Sequence, residues 1–216
     1  MNFNNKSKIV GLCGLIGSGK DTVADFLVEN YDFKRDSFAA ALKDAVASIF
    51  GWDREMLEGK TPQARHWREQ VDTWWANRLG IPALTPRWVL QYWGTDVLRN
   101  HFHTDIWIAS LEHRFLNMNQ NIVISDCRFP NEITAIKSLN GQVFRVMRGE
   151  EPCWIEDAKC FMRGPERNIG WALARKSIEE QKIHPSEYSW VDTEFDKIID
   201  NNGSLDELYE QIRLLI

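Results

Sequence analysis

The nine residues GLIGSGKDT (residues 14–22) directly follow the apolar stretch KIVGLC (residues 8–13). The spacing G-x-x-x-x-G-K is typical of a phosphate-binding loop, in which backbone N–H groups surround the phosphates and the lysine supplies a mobile cation. Beyond Lys20, the residues Val23, Phe26 and Leu27 recur at helical spacing, so the loop opens a helix whose N-terminal dipole favours an anion. Strand, loop, lysine and helix in this order predict a bound nucleoside triphosphate.

The position after the lysine departs from the usual pattern. A phosphate-binding loop normally has Ser or Thr there to hold Mg²⁺, whereas this chain has Asp21 followed by Thr22. Carboxylate and phosphate oxygens are ligands that Mg²⁺ prefers, and it binds them directly or through water. We therefore expect Mg²⁺ as a cofactor with Asp21 as a metal ligand.

Length and charge narrow the class of protein. A chain of 216 residues can form one substantial α/β core without disulfides. Its net charge of -5 argues against a surface that coats a nucleic-acid polymer. The first eight residues are polar and no run of 18 apolar residues occurs, so neither a targeting segment nor a membrane span is expected. These features predict a cytoplasmic protein.

Cysteines and tryptophans each allow two interpretations. The four cysteines lack C-x-x-C spacing and are expected to be reduced thiols, although a zinc site of Cys153, Cys160 and His184 is an alternative with no standard spacing. The ten tryptophans could stack on bases, but aromatic side chains dominate core burial. We expect five of them mainly to fill a helical core: Trp52, Trp74, Trp75, Trp88 and Trp93.

Strand-like and helix-like segments alternate along the chain. This alternation predicts a parallel sheet with helices on both faces and ligands at the carboxyl ends of the strands. The later strands are expected at residues 33–37, 121–126, 142–147 and 194–200. Helices are expected at 39–50, 87–100 and 130–139. Two more helices are expected to begin after Thr104 and after a capping box of Ser204 and Glu207. Between residues 150 and 188 the pattern weakens, which is consistent with a mobile lid or with a solvated helical excursion.

The strand at 121–126 ends in a carboxylate, and an arginine follows it. Asp126 could hold Mg²⁺ through water or accept a hydrogen bond from a sugar hydroxyl, while Arg128 could neutralise charge on a transferring phosphoryl group. Alternatively, Arg128 and Glu132, four residues apart at a helix start, pair with each other. Gly94 lies within a helical pattern, where glycine lowers the stability of the helix relative to alanine. We therefore expect another group to approach the Gly94 backbone closely.

Several blocks in register with the loop carry a family resemblance. They are ALKD (41–44), QYWGTD (91–96) with Trp107 downstream, SDCRFPNE (125–132), HPSE (184–187) and DNNGSL (200–205). Together with the loop, this set resembles the phage-type deoxynucleoside monophosphate kinases over nearly the whole chain. The resemblance implies an ATP-dependent phosphotransferase that converts a deoxynucleoside monophosphate (dNMP) into the diphosphate (dNDP) and ADP.

The resemblance also implies a fold and a set of site residues. The fold would be that of a P-loop NTPase, a three-layer αβα arrangement with a mainly parallel sheet. The single domain, 1–216, would have its core at about 1–50, 119–149 and 189–216, a helical acceptor-binding region at about 51–118 and a lid at about 150–188. The ATP site would comprise Gly14, Gly17, Ser18, Gly19, Lys20, Asp21 and Thr22. The dNMP site would comprise Lys43, Arg65, Arg87, Gly94, Thr95, Trp107, Asp126, Arg128 and Glu132.

Within these sets, Lys20, Arg128 and Asp126 would be the catalytic residues, and Arg163 and Arg167 of the lid would contact phosphates. Nucleotides would be the partners, with no nucleic-acid polymer and no membrane; a homodimer is one oligomeric state left open. The residues at 52–84 and 150–183 depart from the family pattern, which leaves the preferred base open. Three alternatives remain: a kinase of another small acceptor such as dephospho-coenzyme A, a nucleotide-dependent regulatory module, and a Trp-rich single-strand-binding protein.

Overall fold

The computed structural model of the chain describes residues 8–115, 120–165 and 170–216. The chain forms two compact units, one of Met1–Ser37 with Met118–Ile216 and the other of Phe38–Asn117. The first unit contains five strands: β1 (Ile9–Cys13), β2 (Phe33–Asp36), β3 (Asn121–Ile124), β4 (Gln142–Met147) and β5 (Lys197–Asp200). Its helices are α1 (Lys20–Tyr31), α8 (Pro130–Ser138), α9 (Ile155–Met162), α10 (Trp171–Glu180), α11 (Pro185–Tyr188) and α12 (Leu205–Arg213).

The five strands form one parallel sheet in the order β2-β3-β1-β4-β5. β1 is central, with Gly11 opposite Ile124 of β3 and Val143 of β4. This confirms the parallel sheet expected from the alternation of strands and helices. Since parallel strands end at the same edge, the loop after β1 and the segment after β3 emerge side by side.

Alternation along β1 separates the two helical layers. Val10 and Leu12 belong to a buried cluster that includes Val23 and Leu27 of α1 and Leu208 of α12. Gly11 packs on the opposite face, where Ile136 of α8 approaches so closely that a Cβ would lie 2.6 Å from its Cδ1 atom. Successive side chains of a strand point to opposite faces, so the sheet carries α1 and α12 on one side and α8 on the other. The P-loop αβα fold is confirmed.

The second unit is helical. It contains α2 (Ala40–Phe50), α3 (Arg54–Glu58), α4 (Pro62–Arg68), α5 (Thr73–Leu79), α6 (Pro86–Gln91), a π-helix (Tyr92–Phe102) and α7 (Ile106–Phe115). Four short helices in a row have side-chain N-caps, which satisfy the free N–H groups of the first turn. The capping residues are Asp53, Thr61, Asp72 and Thr85.

Aromatic packing in this unit follows the tryptophan prediction with one exception. Phe50 stacks on Trp52 at 4.4 Å between ring centroids and also contacts Trp75 and Trp93. Trp88 is half-buried and stacks on Tyr92 at 5.0 Å. Trp74, however, is 62% exposed, so its assignment to the core was wrong. It lies on the outer side of the two-turn helix α5 and contacts only the edge of Trp75 among the described aromatic rings.

Three predicted elements end or begin elsewhere. The helix predicted at 87–100 is an α-helix only to Gln91 and a π-helix beyond it. β3 ends at Ile124 rather than at residue 126, and Cys127 turns back to the Ile124 carbonyl. β5 begins at Lys197 rather than at residue 194, because the Asp196 side chain accepts the Val143 N–H at 2.7 Å in place of a strand carbonyl.

The predicted lid segment is largely helical. α9 and α10 pack on each other through buried residues that include Ile155, Ala158, Ala174 and Ile178. The predicted boundaries of core, acceptor region and lid remain predictions. Within the described ranges, no helix has both the length and the apolarity needed to cross a membrane.

Candidate functional site

The loop after β1 has a backbone that requires glycine. Gly19 has φ 100°, and a Cβ there would lie 2.2 Å from Nδ2 of Asn201. Gly14 has φ 146°, and a Cβ there would lie 2.4 Å from the Val146 carbonyl oxygen. Side chains are strained at such positive φ values and would collide with β4 and the end of β5. The glycines therefore bring the loop against the ends of neighbouring strands.

Asn201, which follows β5, supports this loop directly. Its Nδ2 donates to the carbonyl oxygen of Ser18 at 2.8 Å, and its own N–H donates to Met147 at the end of β4. Asn201 is buried, as is Ser18, whose hydroxyl has no hydrogen-bond partner among the described residues. A buried hydroxyl without a hydrogen-bond partner is unfavourable in free energy. This is consistent with a loop whose hydrogen bonds are completed by a ligand.

Lys20 begins α1 and curls back over the loop. Its Nζ donates to the carbonyl oxygens of Gly14 at 2.7 Å and Leu15 at 2.8 Å. Burial, followed by the positive charge of Arg128, lowers the pKa of Lys20 to about 8, although Asp21 and Glu187 act in the opposite direction. Because the charge of Arg128 lowers the pKa of Lys20, an anionic ligand bound between the two side chains would relieve both their repulsion and the desolvation of Lys20.

Arg128 comes from the segment after β3, the strand beside β1. Its Nη1 donates to Oε1 of Glu187 at 2.6 Å and lies 3.4 Å from Oγ of Ser186. The predicted pairing of Arg128 with Glu132 takes another form, since Glu132 accepts the backbone N–H groups of Arg128 and Phe129 at 2.8 and 3.2 Å. Glu132 is thus the buried cap of α8, and the Arg128 guanidinium makes its hydrogen bonds with Glu187 and Ser186 instead.

Asp21 stands at the exposed start of α1. Its Oδ1 forms an ion pair with Nη2 of Arg35, at the end of β2, and Arg35 also contacts Ser125 and Asp25. Arg35 was missed in the sequence, although the adjacency of β2 and β3 in a parallel sheet would have brought it to this edge. The ion pair engages one carboxylate oxygen of the predicted metal ligand. Asp126 is half-buried in the segment that carries Arg128.

The predicted acceptor-phosphate cations belong to the helical unit. Lys43 of α2 donates to Oε2 of Glu58 at 2.6 Å, and the Glu58 pKa is lowered mainly by Lys43 against the opposing effect of burial. Arg87 of α6 lies 3.1 Å from Glu69. Arg65 is exposed and donates to the carbonyl oxygens of Lys60 at 3.0 Å and Gly59 at 3.4 Å. Two of these three cations are therefore held by a carboxylate.

Gly94, Thr95 and Trp107 are brought together, and all three are buried. Trp107 Nε1 donates to the Gly94 carbonyl at 2.8 Å, and a Cβ on Gly94 would lie 2.8 Å from Leu42. The close approach expected at Gly94 is thus made by the protein itself. Because the indole occupies the Gly94 carbonyl, it competes with the helical amide for that acceptor, which accounts for the wider π-turns at this point.

The remaining predictions concern the lid and the thiols. Arg163 is half exposed and donates to Asp192 at 2.9 Å, whereas Arg167 lies outside the described residues. Cys13 and Cys127 are buried thiols, Cys153 is exposed, and all four cysteines are free. Among the residues that the structure describes, no group of three or more His, Cys, Asp or Glu side chains is placed to hold a metal, so Cys153, Cys160 and His184 form no zinc site.

The chain is similar in sequence to viral deoxynucleotide monophosphate kinases. The family model described as deoxynucleotide monophosphate kinase matches residues 65–164. A protein of Acanthamoeba polyphaga mimivirus, provisionally named a deoxynucleotide monophosphate kinase, is 29% identical to this chain. The match covers 94% of this chain and 93% of the mimivirus protein. The deoxynucleotide monophosphate kinase of Enterobacteria phage T4 is 22% identical over 95% and 97%. The crystal structure of TT1252 from Thermus thermophilus has a TM-score of 0.43 at 18% identity, with 97% and 96% covered.

The two sequence matches cover 94% and 95% of this chain. They confirm the resemblance that the motifs indicate: over nearly its whole length, the chain is similar to the deoxynucleotide monophosphate kinases.

Proposed function

We propose that this protein is an ATP-dependent kinase that transfers the γ-phosphate of ATP to a deoxynucleoside monophosphate, giving ADP and the diphosphate. The observation that carries the proposal is the pair of cations, Lys20 and Arg128, at a loop in which Gly14 and Gly19 leave no room for a side chain. The deoxynucleotide acceptor is inferred from the activity for which the viral relatives are named.

The reaction requires alignment and charge stabilisation more than a nucleophilic side chain. A phosphate oxygen of the acceptor attacks the γ-phosphorus in line, the bond from that phosphorus to the β,γ-bridging oxygen breaks, and ADP leaves with the electron pair. Lys20 would contact the β- and γ-phosphates, and Arg128 would stabilise charge on the transferring group. Asp126 would orient the acceptor beside it. No covalent enzyme intermediate is needed.

Mg²⁺ suits the oxygen donors at the start of α1. Asp21 is exposed and has a second carboxylate oxygen beyond the one paired with Arg35, and Thr22 follows it. These residues would hold the ion directly or through water, because Mg²⁺ prefers carboxylate and phosphate oxygens. When bound, the ion would neutralise phosphate charge. Arg35 would fix the orientation of the Asp21 carboxylate.

On the acceptor side, Lys43, Arg65 and Arg87 would bind the monophosphate of dNMP. The carboxylates of Glu58 and Glu69 hold Lys43 and Arg87 until a phosphate competes for them. Gly94, Thr95 and Trp107 would shape the nucleoside pocket, in which the hydrogen bond from Trp107 to the Gly94 carbonyl fixes the indole. Arg163 and Arg167 of the proposed lid would approach the phosphates on closure, which would exclude water and suppress hydrolysis of ATP.

The test is ADP release by purified protein with ATP and Mg²⁺ across dNMPs, NMPs and dephospho-coenzyme A. We expect turnover with one or more dNMPs and little without an acceptor. Lys20→Ala should lower turnover at least about a thousandfold, since it removes the cation of the phosphate site, while Lys34→Ala, an exposed lysine of β2, should be unaffected. Turnover with dephospho-coenzyme A alone, or near-normal activity of Lys20→Ala, would overturn the proposal.

A further inference from the structure

The short helix α11 (Pro185–Tyr188) carries the HPSE block, to which the motifs gave no role. We propose that Ser186 and Glu187 are positioning residues that hold the Arg128 guanidinium beside Lys20, so that it is ordered before a nucleotide binds. This inference rests on the proposed function for its kinetic consequence, because Arg128 is the group argued to stabilise the transferring phosphoryl. The two residues act through Arg128 and need no contact with substrate.

The contacts converge on one nitrogen of Arg128. Within the described chain, the hydrogen bonds of this guanidinium all go through Nη1, to Glu187 Oε1 at 2.6 Å and to the hydroxyl and carbonyl oxygens of Ser186 at 3.4 and 3.5 Å. An arginine side chain has several rotatable bonds, so an ordered charge-assisted bond is needed to fix it. Nε and Nη2 remain as donors for a phosphate.

His184 prepares Ser186 for this role. Its Nδ1 accepts the Ser186 N–H at 3.3 Å and lies 2.9 Å from the Ser186 hydroxyl. Since Nδ1 accepts from the backbone, it carries no proton there, and the hydroxyl donates to it. The Ser186 oxygen therefore keeps its lone pairs for Arg128. The N-cap of α11 and the arginine contact are parts of one arrangement, which gives all three polar residues of the block a purpose.

Charge gives a reason for an acid at this position. The Glu187 side chain is 19% exposed, against 39% for Arg128, so the carboxylate is the more enclosed partner. It compensates the repulsion between Arg128 and Lys20, since the Glu187 charge also reaches Lys20. A nucleotide later brings phosphate charge to both cations. An acid that balances the charge of the two cations before a ligand binds fits a holding role.

The competing explanation is that the ion pair only stabilises the fold around α11. Glu187→Gln separates the two, because it keeps the shape and removes the charge. If Glu187 positions Arg128, kcat should fall about 10- to 100-fold while KM for each nucleotide changes less than about threefold. Arg128→Ala and Arg128→Ala/Glu187→Gln should then be equally impaired, since the acid has nothing left to position. The matched control is Glu180→Gln. Glu180 and its ion-pair partner Lys176 are both exposed, so this variant should retain wild-type rates.

A second measurement does not depend on any acceptor. Nucleotide-free protein is labelled with ¹⁵N-arginine, and the side-chain N–H signals of Arg128 are assigned by their loss in Arg128→Lys. These signals should be protected from exchange with solvent in the wild type and unprotected in Glu187→Gln. Protection with no dNMP turnover would contradict the proposed function and leave the holding contact established. Wild-type turnover with unaltered kcat in Glu187→Gln, additive losses in the double variant, or unchanged Arg128 signals would overturn the inference.

Discussion

At the scale of single residues, cations proposed to bind phosphates are held by specific partners. Lys20 is bound by two loop carbonyl oxygens, Lys43 by Glu58 and Arg87 by Glu69. The Arg87–Glu69 pair is partly exposed, and such pairs contribute only about 0–1 kcal/mol to stability, so a phosphate can displace Glu69 at small cost. The pairing thus keeps long side chains in place without blocking a ligand.

Arg87→Ala tests the acceptor side. We expect KM for dNMP to rise about 10- to 100-fold, the loss typical of one charge-assisted contact to a phosphate, while KM for ATP stays within about twofold. Steady-state kinetics with each substrate varied in turn measures the split, and Arg78→Ala, an exposed arginine of α5, is the control. An equal rise in both KM values would contradict the acceptor role of Arg87.

At the scale of elements, the loop after β1 depends on a segment more than 180 residues away. The bond from Asn201 to Ser18 spans 183 residues, and Gly19 leaves room only for this amide. A buried hydrogen bond contributes about 1 kcal/mol, and leaving its acceptor unsatisfied costs more. The end of β5 therefore helps to determine the conformation of the phosphate loop.

Asn201→Ala should weaken ATP binding by loosening the loop. We predict that KM for ATP rises about tenfold, equivalent to one lost hydrogen bond, with a smaller change in KM for dNMP and a modestly lower Tm. Asn30→Ala, which removes a similar amide-to-carbonyl bond at the exposed end of α1, should leave both KM values unchanged. If Asn30→Ala and Asn201→Ala behave alike, the loop does not depend on Asn201.

Local elements were predictable where local sequence determines them. The strand, glycine loop and helix at 9–31, the β4 bounds and the Ser204–Glu207 capping box follow from short-range pattern, and the structure confirms them. The π-helix was missed because its cause is the distant Trp107, and β5 was overextended because the Asp196 side chain replaces a strand carbonyl. For the same reason, no short-range pattern linked Arg128 with Glu187, which are 59 residues apart.

At the scale of the whole molecule, the chain divides its proposed tasks between two compact units. The unit with the sheet contains the phosphate loop, Arg128 and the segment that holds it, and the helical unit contains the three cations proposed for the acceptor. Each unit forms its own buried core. Under the proposed function, each nucleotide would have its own set of phosphate-binding cations.

If the protein is the proposed kinase, the γ-phosphate of ATP passes to a monophosphate rather than to water. The most direct measurement is to incubate the protein with [γ-³²P]ATP, Mg²⁺ and each dNMP, and to separate the products by thin-layer chromatography. The label should appear in the β-phosphate of a dNDP, with Lys20→Ala giving no labelled product. Label recovered only as inorganic phosphate, at the same rate with and without dNMP, would contradict the claim and identify a nucleotide-hydrolysing module instead.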